Sequence, residues 1–126
     1  MTAAPASIAL AHTAARAASE KLATDFVALD VSEQMPLTDI FLMCSARNER
    51  MVAAIADAVD DALREEGAPR LRQEGRAEGR WILLDFGDIV VHVFHEEERL
   101  YYQLERLWRD CPVVDVEGSG QASGES

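Results

Sequence analysis

The sequence predicts a single α/β domain, and three observations carry that expectation. The chain has 126 residues, a length that ordinarily makes one domain. Residues 6–23 and the stretch around 52–63 space their apolar side chains at helical intervals. Shorter apolar runs at 25–31, 40–45, 81–86 and 88–94 have the length and the Val, Ile and Phe content of strands. A hydrophobic share of 48% suits an ordinary globular core.

Residues 1–5 are small and expected to be flexible. The first helix, 6–23, aligns Ile8, Ala11, Ala15, Ala18 and Leu22, with Lys21 near the end where a cation suits the helix dipole. His12 is read as a surface or boundary residue. Residues 25–31 form a strand, and 32–39, with Pro36, a turn or loop. Ile40 to Ser45 shows almost no polar alternation, so burial on both faces is expected. Ser45 or Asn48 caps the next helix. There Val52, Ile55, Val59 and Leu63 make the core stripe, with Ala56 and Ala62 beside it. Asp57, Asp60, Asp61, Glu65 and Glu66 make the wet face. Gly67 terminates the helix. Residues 67–80 have no periodicity and carry Arg70, Arg72, Arg76 and Arg80; they read as a flexible, locally basic connector.

Two strands follow, 81–86 and 88–94, with a very tight turn at Phe86-Gly87, where glycine supplies a positive φ. Strand alternation puts Trp81, Leu83 and Asp85 on one face and Ile82, Leu84 and Phe86 on the other. The last helix, 96–109, opens on Glu96, Glu97 and Glu98, which suit an N-terminal dipole. Leu100, Leu104 and Leu107 make its core stripe, and Tyr101, Glu105 and Trp108 a second stripe beside Tyr102. Tyr and Trp join apolar area to a polar tip, as interfaces require. Val113, Val114 and Val116 add a short strand or a flap. The Gly/Ser-rich tail 117–126 is expected to be disordered, which leaves residues 6–116 as the domain.

The formal charge is −11. Phosphate-driven binding needs clustered Lys and Arg, so little direct nucleic-acid binding is expected, and a basic protein surface is a better-matched partner. Cys44 lies in an apolar run and Cys111 follows a helix end; a reducing compartment without a disulfide is expected. No secretory, Arg-rich organellar or membrane-spanning pattern is visible, which points to a cytoplasmic location.

Candidate chemistry is thin. Asp85-Phe86-Gly87 spells the kinase magnesium triplet, but without a Gly-rich nucleotide loop or an H-R-D element. Asp85 and Asp88 could serve a metal-dependent nucleotidyl transfer, yet they flank a tight turn and no third carboxylate is recognisable. His92 and His95 are three apart on a strand and point to opposite faces, so they do not share a metal; His92 reads as a hydrogen-bonded core or boundary residue. No catalytic residue, metal or cofactor is expected.

The chain resembles the ribosomal silencing factor family, also called Iojap-like (RsfS). The residues that carry the likeness are Leu29-Asp30-Val31, Thr38-Asp39-Ile40-Phe41, Glu49-Arg50, Ala54-Ile55-Ala56-Asp57 and Glu74-Gly75. To these add the unbroken run from Trp81 to Phe94 and Tyr102-Gln103-Leu104-Glu105-Arg106-Leu107-Trp108. Ile40, the run Ser45-Ala46-Arg47-Asn48 where the family commonly has Ser-Gly-Asn-Ser, and Met51 depart from the usual family pattern. The resemblance implies a mixed-sheet domain similar to nucleotidyltransferases but without their catalytic carboxylates, hence no enzyme; the alternative is a nucleotide- or metal-dependent enzyme of that fold. It implies binding to ribosomal protein fourteen of the large subunit, a steric block of subunit association that represses translation when nutrients are short, and a homodimer when free. The docking residues expected on that basis are Trp81, Leu83, Asp85, Tyr101, Tyr102, Glu105 and Trp108, with Trp81 and Tyr102 as aromatic anchors and Asp85 and Glu105 as acceptors for Arg or Lys.

Overall fold

The structure, a computed structural model, describes residues 3–101 and 110–116. Its elements are α1 (Pro5–Glu20), β1 (Thr24–Asp30), β2 (Ile40–Ala46), α2 (Glu49–Glu65), β3 (Arg72–Glu74), β4 (Trp81–Asp85), β5 (Ile89–His95), α3 (Glu96–Tyr101) and β6 (Val113–Val114). The strands form one six-stranded sheet in the order β3-β4-β5-β2-β1-β6. At its centre β2 and β5 run parallel, Ile40 beside Ile89 and Ala46 beside His95. Every other pairing is antiparallel, so the sheet is mixed. Central β2 and β5 are nearly all buried, which explains why their sequences lack polar alternation.

Helices α1 and α2 cover one face of the sheet. Ala11, Ala14, Ala15 and Ala18 of α1 and Val52, Ile55, Ala56, Val59 and Leu63 of α2 pack with Leu42, Cys44, Ile82, Leu84, Val91 and Val93 from the strands. The stripe of alanines lets α1 lie close to its neighbours. A smaller cluster occupies the opposite face: Leu29, Val31, Met43, Phe94 and Cys111, with Val27, Phe41 and Trp81 packed against it. Both cysteines are buried and form no disulfide, and burial raises the pKa of Cys111, as do the nearby Asp110 and Asp30 carboxylates.

The local signals at the ends of α2 work as the sequence implies. Asn48 is the N-cap, its side chain accepting from the Met51 N–H at 2.9 Å. At the other end Gly67 N–H donates to Arg64 O and Ala68 N–H to Leu63 O, the paired bonds of a Schellman ending. Helix α1 stops at Glu20, earlier than residue 23, through the same two bonds: Leu22 N–H to Ser19 O and Ala23 N–H to Ala18 O. Here a leucine, not a glycine, takes the left-handed position at φ 69°. Nothing in the spacing of apolar residues marks that stop.

The start of α1 is held from elsewhere in the chain. Its N-cap, Ala4, has no capping side chain. Instead Asp39 accepts from Ala4 N–H at 3.0 Å and from Ser7 Oγ at 2.7 Å. Asp30 accepts from Ala3 N–H at 2.7 Å and from the N–H and hydroxyl of Ser32. Two carboxylates beside a helix N-terminus satisfy orphan donors and complement the dipole. Burial pushes the Asp30 carboxyl upward, but the hydrogen bonds from Ser32 and Ala3 outweigh it and leave the pKa below the ordinary value. A depressed folded-state pKa adds stability above the unfolded value, about 3.9, and loses it as pH falls through the folded value. Stability should therefore decline below about pH 4, and Asp30→Asn should flatten that part of the curve. Urea melts at a series of pH values check this; parallel curves for the two proteins would refute it.

The sheet edge contains the one strand that the sequence reading missed. Residues 67–80 were expected to be a connector, yet β3 lies within them and pairs with β4, Arg72 opposite Asp85 and Glu74 opposite Leu83. The segment Arg-Gln-Glu has no apolar residue to announce it. The expected final helix is described only over Glu96–Tyr101, and the remainder, together with the tail 117–126, lies outside the described residues.

Candidate docking face

The face of the sheet opposite α1 and α2 gathers the candidate residues. Antiparallel partners share a face, so the pairs Trp81–Phe94, Leu83–His92 and Asp85–Val90 set six side chains in two columns. The parallel register adds Met43 beside His92 and Phe41 beside Val90. Along β4 the burial alternates: Ile82 and Leu84 are buried against the helices, while Trp81, Leu83 and Asp85 are half-buried on this second face.

Trp81 is fixed on three sides. Its ring stacks on Phe94, with centroids 5.1 Å apart and planes 26° from parallel. Its indole N–H donates to His92 Nδ1 at 3.2 Å. Its backbone begins β4, directly after Arg80. His92 is itself held edge-on by Phe41, centroids 5.0 Å apart, and lies nearly parallel to Phe94 at 5.9 Å. An accepting Nδ1 places the proton of the neutral imidazole on Nε2. His92 is thus a buried supporting residue. His95 behaves differently: its Nδ1 accepts from Glu97 N–H at 3.2 Å and caps the start of α3.

Asp85 is engaged within the chain. One carboxylate oxygen accepts from Gly87 N–H at 2.8 Å and pins the β4–β5 turn. The other accepts from Arg72 Nε at 3.2 Å. Arg72 also pairs with Glu74, and these hydrogen bonds, that to Asp85 foremost, raise its pKa. Asp85 therefore presents a half-shared carboxylate. Among the described residues no group of three or more His, Cys, Asp or Glu side chains is arranged to hold a metal ion.

The arginines of residues 67–80 do not form an open basic patch. Arg70 pairs with Asp60 at 3.0 Å. Arg76 grips Asp57 with both terminal nitrogens, at 2.8 and 3.1 Å, and that hydrogen bonding raises its pKa. Arg80 reaches Glu98 at 2.7 Å and Glu49 and Glu97 at 3.3 Å each. The acidic side of α2, expected to be merely solvated, is the counter-surface for this arginine segment. Such exposed pairs contribute little stability singly, roughly 0–1 kcal/mol each, but together they set the course of the loop.

The whole chain from residue 4 to residue 126 matches the model of a family described as "Ribosomal silencing factor during starvation". The chain belongs to the ribosomal silencing factor family. It is 43% identical over 109 residues to the ribosomal silencing factor of Halalkalibacterium halodurans, covering 86% of this chain and 93% of that protein. It is 44% identical over 104 residues to the silencing factor of Bacillus subtilis, covering 82% and 88%. The chloroplastic Iojap protein of Zea mays is 30% identical over 109 residues, spanning 86% of this chain and 47% of its own length. A crystal structure from Bacillus halodurans superposes with a TM-score of 0.75 at 41% identity, covering 85% of this chain and 97% of its own. One from Chromobacterium violaceum gives 0.76 at 33%, covering 79% and 83%.

Of the docking residues expected from the silencing factor resemblance, Trp81, Leu83 and Asp85 stand together on one strand face. Tyr102, Glu105 and Trp108 lie outside the described residues, and Tyr101 is described only as the last residue of α3. The sequence reading missed three contributors in this silencing factor chain: His92 as the support of Trp81, Arg72 as the partner of Asp85, and Arg80 as a link between β4 and α3. Only the even spacing of Trp81, Leu83 and Asp85 hinted that anything would support them from the next strand. In this family member no helix among the described residues is long and apolar enough to cross a membrane.

Proposed function

We propose that this chain is a non-enzymatic cytoplasmic repressor of translation that docks on protein fourteen of the large ribosomal subunit and blocks joining of the small subunit. Family membership supports the ribosomal and silencing parts of this reading. The observation that carries the docking part is the face of β4, where Trp81, Leu83 and Asp85 are half-exposed on a rigid, internally braced strand. A rigid aromatic beside an aliphatic residue is the composition of an interface hot spot, because little side-chain entropy is lost on binding. Asp85 and a net charge of −11 favour a basic protein surface and disfavour bare rRNA phosphates. The carboxylates paired with Arg70, Arg72, Arg76 and Arg80 leave that segment ill suited to nucleic acid. Tyr101, Tyr102, Glu105 and Trp108 would extend the face along the last helix, and a homodimer is proposed for the free protein.

The test is co-sedimentation with purified large subunits at rising salt. The wild-type chain should pellet, and should inhibit subunit joining in a light-scattering assay. Leu83→Arg places a cation and a longer side chain at the centre of the face, and should weaken binding about thirtyfold, the loss of one hot-spot residue worth ~2 kcal/mol. Its melting curve should stay close to wild type, since Leu83 is half-exposed. A chain that stays in the supernatant at low salt, or a folded Leu83→Arg protein that binds as well as wild type, sinks the assignment.

A further inference from the structure

We infer that Arg80 is a positioning residue that aims the helix following β5 at the partner. This rests on the docking reading above, and deepens it by assigning the link between its two halves. The first half, Trp81, begins β4 immediately after Arg80. The second half is expected on the helix that begins at Glu96. The two meet at one end of the sheet, where Trp81 pairs with Phe94 and β5 passes directly into α3.

Arg80 joins four segments at that point. Its backbone carbonyl accepts from His95 N–H at 2.7 Å, which extends the β4–β5 ladder to the last residue of β5. Its Nε donates to Glu98 at 2.7 Å and its terminal nitrogens to Glu49 and Glu97 at 3.3 Å each. Glu49 is the first residue of α2; Glu97 and Glu98 lie in the first turn of α3. The guanidinium pKa is raised, chiefly by the bond to Glu98, so the group is a fixed cation at any physiological pH.

The charge balance makes this more than an ordinary surface pair. One cation faces three carboxylates, a local excess of negative charge. Those carboxylates come from two different helices, and among the described residues the guanidinium links them. Without it Glu49, Glu97 and Glu98 face one another as like charges, and the start of α3 is pushed away from α2 and β4. His95, whose ring caps Glu97 N–H, then remains to brace the first turn of α3. A planar fork suits this geometry because one guanidinium donates in three directions. An ammonium is a point charge and serves the same acceptors less well.

The experiment compares wild type, Arg80→Ala and Arg80→Lys as full chains. Amide hydrogen exchange across residues 96–101 should quicken on the order of tenfold in Arg80→Ala, with the amides of β2 and β5 unchanged, because local opening is separable from global unfolding. Arg80→Lys should fall between the two. The difference between wild type and Arg80→Ala should narrow in high salt, since the pairs are exposed and screened. Affinity for large subunits should drop several-fold in Arg80→Ala and be partly restored in Arg80→Lys. Unchanged exchange at 96–101, or faster exchange spread evenly through the sheet, would overturn the positioning role. Exchange altered as expected with unaltered affinity overturns its connection to docking. A wild-type chain that does not bind large subunits removes the docking reading itself, and the exchange arm then judges the Arg80 brace alone.

Discussion

Phe94→Ala should lower the melting temperature by about 15 °C, the larger of the two largest effects expected from single substitutions. Phe94 is fully buried on β5 and belongs to the cluster of Leu29, Val31, Met43 and Cys111. Truncating a buried phenylalanine removes its transfer free energy and leaves a cavity, together about 3–5 kcal/mol. At this chain length each kcal/mol corresponds to roughly 4 °C. The substitution also has a functional side. Phe94 is the surface on which Trp81 stacks and lies parallel to His92, which accepts the indole N–H. Losing it loosens Trp81 while leaving the exposed side chains of the docking face, Leu83 and Asp85 among them, unchanged in identity. Binding to large subunits, measured well below the lowered melting point, should weaken as well. Phe94→Leu, which keeps most of the volume, should cost less than half as much. A calorimetric shift under 5 °C for the alanine variant would show that the cluster repacks, contrary to this account.

Gly75→Ala should cost about 3 kcal/mol, far more than alanine usually costs in a surface loop. Gly75 has φ +88°, and a Cβ there would overlap the carbonyl oxygen of Trp81. That atom belongs to the backbone of β4 and cannot rotate aside. The carbonyl of Gly75 also accepts from Gly79 N–H at 3.0 Å, closing the β3–β4 loop. An added methyl must therefore displace the loop, and with it the start of β4 where Trp81 sits. Gly67 supplies an internal control. Its φ is +86°, nearly the same, but nothing lies within 4 Å of its would-be Cβ. Gly67→Ala carries only the left-handed strain, about 1–2 kcal/mol. The difference between the two variants in urea melts isolates the clash. Equal losses would mean that backbone strain alone restricts Gly75. Gly75, which with Glu74 helped carry the family resemblance, thus has a steric reason to be glycine.

Much of the architecture was legible because it rests on local periodicity. The alternation of half-buried and buried side chains along β4 follows from Trp81-Ile82-Leu83-Leu84-Asp85 and needed only the rule that successive strand residues face opposite ways. The unbroken apolar runs of β2 and β5 announced the buried centre of the sheet. Asn48 and Gly67 marked the two ends of α2 through chemistry carried by single residues. The family itself was legible for a related reason: the Trp81–Phe94 run encodes a strand, a turn and a second strand without interruption.

What could not be read were interactions between segments distant in the chain. Asp30 and Asp39 look like ordinary strand-end acids, yet they hold Ala3, Ala4 and Ser7, 27 to 35 residues away. Strand β3 contains only polar residues, so its membership of the sheet depends on β4 being present to pair with it. The arginines of residues 67–80 resembled a free basic segment because their carboxylate partners lie on α2, β4 and α3. By itself, the sequence determined most of the described helices and strands, the two-sided pattern of β4 and the family, since each is encoded in neighbours or fixed spacing. Only the tertiary structure decided which charges cancel, which ring supports Trp81 and which residue joins β4 to α3. Those outcomes depend on distances of about 3 Å between groups that the chain brings together only by folding.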